Sequence, residues 1–284
     1  MPLHRHNDIE LHYEVAGQGP ALMLIHGLGS SGADWAFQIP ALGPHFQMIM
    51  PDLRGSGRSH KPKQRYAIGE FATDLWSLLD AMNIDHVSLL GFSLGGAVAL
   101  EMAVLRPRSV TRMVLVNSLP DYVIRDRRRW LEARLQAAMV RVLGPRRSAR
   151  LIARRLFPYA PQAAMRERVV DVVGANSRRA YLATIRALVG WSALDRISTL
   201  PCPTLMLAGE HDYTPLAEKR AYAEKLGAEF AVVRGSRHGT PFDSIRATNA
   251  CALAFLLGQP LPPADSLRID HEDEVPAVAP TLLP

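Results

Sequence analysis

The sequence predicts an α/β fold, a mostly parallel sheet flanked by helices, with an all-helical segment inserted late in the chain. Three observations carry this. Short apolar runs at 21–25 and 87–90 alternate with helical spacing such as Phe71, Leu75, Leu78, Leu79 and Met82. That is the pattern of strands covered on both faces and joined by crossover helices. The alternation stops over 119–195, where amphipathic helical stretches follow one another, and it resumes after Pro201-Cys202-Pro203.

Taken in order, residues 9–16 alternate enough for a first strand, and 17–20 form a turn. Ala21-Leu22-Met23-Leu24-Ile25 is continuously apolar, as a doubly covered strand must be, and it ends in His26-Gly27-Leu28-Gly29-Ser30. A short helix over 34–42 sets Trp35 and Ile39 on one side. The next strand, 46–50, runs into Pro51-Asp52-Leu53-Arg54-Gly55-Ser56-Gly57-Arg58-Ser59. A helix over 68–82 precedes the strand that stops at Gly91, the helix from Ser93 to Leu105, and a strand at 113–116. Ligands in such sheets lie at the carboxyl ends of the strands, and His26, Asp52, Ser93 and Asn117 all fall there.

Within 119–195, Leu131, Leu135, Ala138 and Val142 share one helical face, while Arg127, Arg134 and Arg141 recur on another. Arg146, Arg147, Arg150 and Arg154 repeat the arrangement after Gly144-Pro145, and amphipathic stretches near 162–173 and 178–190 follow. The sheet then resumes with a strand at 204–208 ending in Gly209-Glu210-His211-Asp212. A helix over 216–226, a strand at 230–233, the loop Arg237-His238-Gly239 and a helix over 241–257 complete it. The expected organisation is a core of 1–118 and 196–258, a helical cap of 119–195, and a proline-rich tail of 259–284. That tail, with its acidic patch from Asp270 to Glu274, is expected on the surface or disordered.

Bulk properties narrow the function. The N-terminal ten residues lack the apolar run of a signal peptide. Cys202 and Cys251 show no metal-ligand spacing and suit packing roles. A cytoplasmic protein without metal or cofactor is expected. The net charge of +6 is uneven: residues 125–196 hold seventeen arginines against five acids. Such a surface suits an anionic substrate, an anionic carrier protein or anionic lipid, unless the arginines only solvate the helices. No aromatic interleaving accompanies them, which argues against nucleic acid.

The chemistry centres on Gly91-x-Ser93-x-Gly95, the spacing of a nucleophile elbow between strand and helix. A strand turning at once into a helix strains its middle residue, so the neighbours two before and two after must lack bulk. The hydroxyl then stands clear of the sheet, beside helical N–H groups able to hold an oxyanion. Two other readings compete. The apolar run 87–105 has the length of a membrane span, and the glycines also suit an inert tight turn. Stable membrane insertion is not expected, because nothing else in the chain resembles a span or a topology signal.

A serine needs a base, and the base needs an orienting group. Asp212 lies at a strand's carboxyl end and His238 follows the next strand, with Glu210 and His211 as rivals. His86 begins the strand that carries the serine, ~15–20 Å away. His4, His6, His12 and His271 are expected to be terminal and solvated.

The order Ser93, Asp212, His238, with His26-Gly27 and the 52–59 run, resembles the α/β-hydrolase superfamily over about 9–118 and 196–257. The resemblance implies a catalytic triad of those three residues and an oxyanion hole formed by the N–H groups of Leu28 and Leu94. His26, Gly27, Gly91 and Gly95 become structural residues of the site, and Asp52 and Arg54 hold loops together. Serine in place of aspartate at 93 disfavours dehalogenase and epoxide hydrolase chemistry. What remains is a serine hydrolase acting on a small or medium ester or lactone. A carbon–carbon bond hydrolase of the meta-cleavage type, and a non-catalytic binding protein on the same fold, are the alternatives.

Overall fold

The computed structural model describes residues 2–197 and 200–270. Strands β1 (Leu3–His6), β2 (Ile9–Ala16), β3 (Ala21–Ile25), β4 (Gln47–Pro51), β5 (Val87–Phe92), β6 (Val110–Val116), β7 (Thr204–Gly209) and β8 (Glu229–Val233) form one sheet. Its order is β1-β2-β4-β3-β5-β6-β7-β8, parallel from β4 onward and antiparallel at β1 and β2. The helices are α1 (Ile39–Leu42), α2 (Ile68–Ala81), α3 (Leu94–Leu105), α4 (Arg127–Leu156), α5 (Ala163–Gly174), α6 (Arg178–Leu188), α7 (Leu216–Leu226), α8 (Thr240–Asp243) and α9 (Ile245–Leu256).

The period of two along each strand sorts the core into two layers. Leu22 and Leu24 pack with Leu42 of α1 and Cys251 and Phe255 of α9. Met23 and Ile25 face the other way, with Phe71 and Leu75 of α2 and Val98 and Met102 of α3. Both layers being filled explains why β3 is apolar at every position and β5 at all but Ser88, whose hydroxyl pairs with that of Thr111. The run 87–105 is therefore a strand and a central helix, divided at Ser93. At 12 residues α3 is too short to span a bilayer. Among the described residues no helix is long and apolar enough to cross a membrane.

Residues 34–42 split into a 3₁₀ turn over Gly32–Phe37 and α1, and 241–257 split at Ser244 into α8 and α9. β1 pairs with β2 through a tight turn at Asn7, whose φ is 51°. It lies where the sequence offered only solvated histidines. His12 is the clearest departure: β2 carries it beneath the 52–59 turn, where it is buried with Nδ1 3.3 Å from Asp52 Oδ2. His4 is half-buried, with Nε2 hydrogen-bonded to Ser77 Oγ at 2.9 Å.

The start of the expected tail is also packed. Arg234 N–H donates to Leu267 O and Ile269 N–H to Arg234 O, both at 2.9 Å. Leu267 is buried beside Val233. The Asp270 carboxylate accepts from Ile245 N–H at the N-terminus of α9, where negative charge is favoured. His271 and the acids Glu272 to Glu274 lie outside the described residues.

Between β6 and β7, α4, α5 and α6 form a helical segment set against the loops at the carboxyl ends of the strands. Asn176 Nδ2 donates to Gly29 O at 2.8 Å, Arg168 reaches Asp34, and Phe157 closes on Gly239. Asp126 caps α4 by accepting from Arg129 N–H, and Gly144 (φ 76°) with Pro145 breaks the helix.

α4 packs by a different face from the one that Leu131, Leu135 and Val142 share. Ala137 and Val140 face Val173, Tyr181 and Leu182. Leu131, Leu135 and Val142 point away, 52%, 58% and 75% exposed. Short side chains on the inner face let α4 approach α5 and α6 closely. A helix with apolar stripes on opposite sides gives the same periodicity for either, so spacing alone could not choose.

Candidate active site

Ser93 sits between β5 and α3 with φ 52° and ψ −114°, a backbone that side chains rarely adopt. The glycines around it leave no alternative. A Cβ on Gly91 would lie 2.5 Å from Gly95 O, and one on Gly95 would strike the carbonyl of Ile25. Ser93 N–H is held by Val116 O at 2.9 Å, which fixes the turn to the neighbouring strand.

The loop after β8 brings His238 to this serine. His238 Nε2 lies 2.9 Å from Ser93 Oγ, and its Nδ1 lies 2.6 Å from Asp212 Oδ1. An ionised Asp212 can only accept, so Nδ1 carries the proton and Nε2 accepts from the serine hydroxyl. Burial alone would raise the Asp212 carboxyl. His238 and Lys219 outweigh it and lower the pKa to about 2. Tyr213 stacks on the imidazole, ring centroids 4.6 Å apart, and its N–H donates to Asp212 Oδ1. Phe92 flanks the imidazole at 5.3 Å.

Two polar residues hold this group from behind. Lys219, buried on α7, donates to Asp212 Oδ2 and to Asn117 Oδ1. Burial lowers its pKa against the opposing pull of Asp212. Asn117, with φ 47° at the end of β6, receives Gly209 N–H on Oδ1 at 2.8 Å. Its Nδ2 donates to His238 O at 2.8 Å and Thr240 Oγ1 at 2.7 Å. One amide thus ties β6, β7 and the histidine loop together.

Leu94 provides the first N–H of α3, which has no partner within its helix. The loop holding Leu28 lies against Phe92, the residue before Ser93, where a Cβ on Gly27 would come within 2.9 Å of the Phe92 ring. Leu28 N–H makes no hydrogen bond among the described residues. His26 uses both ring nitrogens locally, with Nδ1 on Gly27 O at 2.8 Å and Nε2 accepting from Leu53 N–H at 3.0 Å. Its burial lowers its pKa, in keeping with a neutral brace.

Asp52 accepts from Gly32 N–H and Arg58 N–H, both at 2.7 Å, and Arg54 is paired with Asp74. These are loop fastenings. Of the rivals, Glu210 is exposed and accepts from Gly235 N–H, and His211 is exposed beside it. Neither faces Ser93. Asn117 had a sequence signal in its place at a strand's end. Lys219 had none, because a lysine in a charged surface helix is ordinary. Cys202 and Cys251 are buried free thiols. Among the described residues no cluster of three His, Cys, Asp or Glu side chains is set to hold a metal ion.

A model of the alpha/beta hydrolase fold family matches residues 20–244. A Caulobacter sp. (strain K31) protein provisionally named carbamate hydrolase RutD is 31% identical over 88% of this chain and 96% of its own. An uncharacterized Mycobacterium tuberculosis (strain ATCC 25618 / H37Rv) protein is 39% identical over 106 residues, 37% of this chain and 31% of that protein. The match thus spans about a third of that relative's length. Among solved structures, an enol-lactonase from Burkholderia xenovorans LB400 superposes with a TM-score of 0.82 at 24% identity, covering 90% of this chain and all of that one. A thermophilic esterase from Thermogutta terrifontis reaches 0.79 at 25% identity, over 88% and 94%.

Proposed function

Because the chain belongs to the α/β-hydrolase fold family, we propose that it is a serine hydrolase that cleaves a carboxylic ester or lactone of a small or medium substrate. The observation that carries this reading is the unbroken line from Ser93 Oγ through His238 to Asp212. The esterase and lactonase among its structural neighbours agree with it.

In this mechanism Ser93 Oγ attacks the acyl carbon while His238 Nε2 takes its proton. The carbonyl π pair moves to oxygen, which rests on the N–H groups of Leu28 and Leu94. Collapse of that intermediate breaks the carbon–oxygen bond to the alcohol, and His238 returns the proton to the departing oxygen. Water then repeats the sequence on the acyl-serine, freeing the acid and restoring the hydroxyl. Asp212 holds the imidazole in its tautomer and offsets the imidazolium charge. Residues 119–195 serve as a cap over this pocket, and the enzyme acts in the cytoplasm without metal or cofactor. Carbamates, suggested by the RutD relative, present the same type of acyl carbon.

Labelling with a fluorophosphonate tests the reading, because Ser93 is partly exposed. Ser93 should be modified and the Ser93→Ala variant should not. Nitrophenyl esters, lactones, carbamates and ring-cleavage diketones then rank the substrate classes. An unlabelled Ser93 with no turnover would make the chain a binding protein. Turnover of the diketones alone would make it a carbon–carbon bond hydrolase.

A further inference from the structure

We propose that the outward face of α4 docks on an anionic lipid bilayer. This inference rests on the geometry of α4 and is independent of the reaction at Ser93.

At 100° per residue, Leu131, Leu135 and Val142 form one narrow stripe opposite the stripe of Ala137 and Val140 that packs on the protein. The leucine stripe therefore stands proud on a convex surface. Trp130, a half-exposed indole about 100° round the helix from Leu131, lies past the arginines on that side, with the Arg134 guanidinium 4.5 Å above its ring. A ridge of this kind fits a plane better than a pocket, and leucines flanked by arginines, with an indole on the arginine side, suit the boundary between headgroups and acyl chains.

Charge selects an anionic surface. α4 carries ten arginines and one glutamate, and that glutamate, Glu132, is paired with Arg128. Arg127, Arg134 and Arg141 line one side of the leucine stripe. Beyond the break at Gly144, Arg147, Arg150 and Arg154 line one side of the half-exposed Leu151. None of these six has a carboxylate partner among the described residues. Long guanidinium side chains beside an apolar ridge can reach phosphate oxygens while the leucines enter the acyl boundary.

The test is flotation of the full chain with vesicles of phosphatidylcholine alone, or with about a third phosphatidylglycerol. The protein should float with the anionic vesicles and not with the neutral ones, and salt near 0.5 M should weaken binding about tenfold. Leu131→Ser, Leu135→Ser and Val142→Ser together should reduce vesicle binding roughly tenfold or more. Because these side chains are solvent-facing, the melting temperature and the hydrolysis of a soluble ester should not change. Trp130→Phe should remove the vesicle-induced blue shift of fluorescence. Equal flotation of the triple serine variant would overturn the proposal, as would no flotation of the wild type. A dimer in sedimentation velocity that the serine variant abolishes, without vesicle binding, would assign the face to a second copy. Capture by polyglutamate with no vesicle binding would assign it to an acidic protein.

Discussion

Replacing Lys219 by methionine should move the acid limb of the activity profile to higher pH. Lys219 touches Asp212 Oδ2, while His238 Nδ1 lies 2.6 Å from Asp212 Oδ1. One carboxylate between them sets ammonium and imidazole about 5 Å apart, and two unit charges at that range in an effective dielectric of ~20 interact by about 3 kcal/mol. That is about 2 pH units. The ammonium repels the imidazolium that forms when His238 takes the proton of Ser93, so removing it favours that charge. The assay is kcat/KM on a neutral nitrophenyl ester from about pH 5 to 9, for wild type, Lys219→Met and Lys219→Gln. Both variants should shift the limb upward by about one to two units. Glutamine, which keeps a donor for Asp212, should hold the plateau kcat closer to wild type. An unmoved limb in both variants would mean that the buried lysine carries no charge or acts only by packing. A downward shift would contradict the electrostatic reasoning itself.

Ser93→Ala and His238→Ala should each abolish most turnover, and the double variant should be scarcely slower than either, because the pair acts as one unit; multiplicative losses in ester hydrolysis would separate them. Asp212 has a folded pKa of about 2 against an ordinary 3.8, so its ionisation favours the folded state by about 2 kcal/mol. That contribution is complete above about pH 4 and fades as pH falls through 2. Burying Lys219 offsets part of it at neutral pH. Denaturant melts should therefore show Asp212→Asn losing less stability than wild type between those values. Gly95→Ala would press a methyl group onto the carbonyls of Ile25 and His26, and calorimetry should show a loss of about 3 kcal/mol together with lost activity.

The parts of this molecule that were legible in the sequence are those with one physical solution. Gly91 and Gly95 around Ser93 admit little besides a strained turn, and continuous apolar strands require cover on both faces. Asp212 and His238 follow from their places at successive strand ends. The supporting polar residues were not legible. Lys219 reads as a solvated helix residue until the fold turns it under Asp212, and the five hydrogen bonds of the Asn117 side chain join segments about 90 to 120 positions apart. His12 failed for a similar reason, since only the pairing of β2 with β4 carries it beneath the 52–59 turn. On α4 the apolar stripe was visible but not its direction, because direction depends on which side chains are short enough to let the helix approach its neighbours.

The pairing of Arg234 with Leu267 and Ile269 has a consequence for the chain's behaviour among its own copies. β8 is the last strand of the sheet, and a bare strand border offers unpaired N–H and C=O groups to another molecule. Residues 267–269 engage the backbone of Arg234 immediately after β8, and Leu267 covers the apolar side chains there. The opposite border is guarded differently, by a four-residue strand, Leu-His-Arg-His, whose charge and shortness discourage pairing. The segment after α9 thus covers the sheet's border only at its end, at Arg234, and leaves Glu229–Val233 without a strand partner on that side among the described residues.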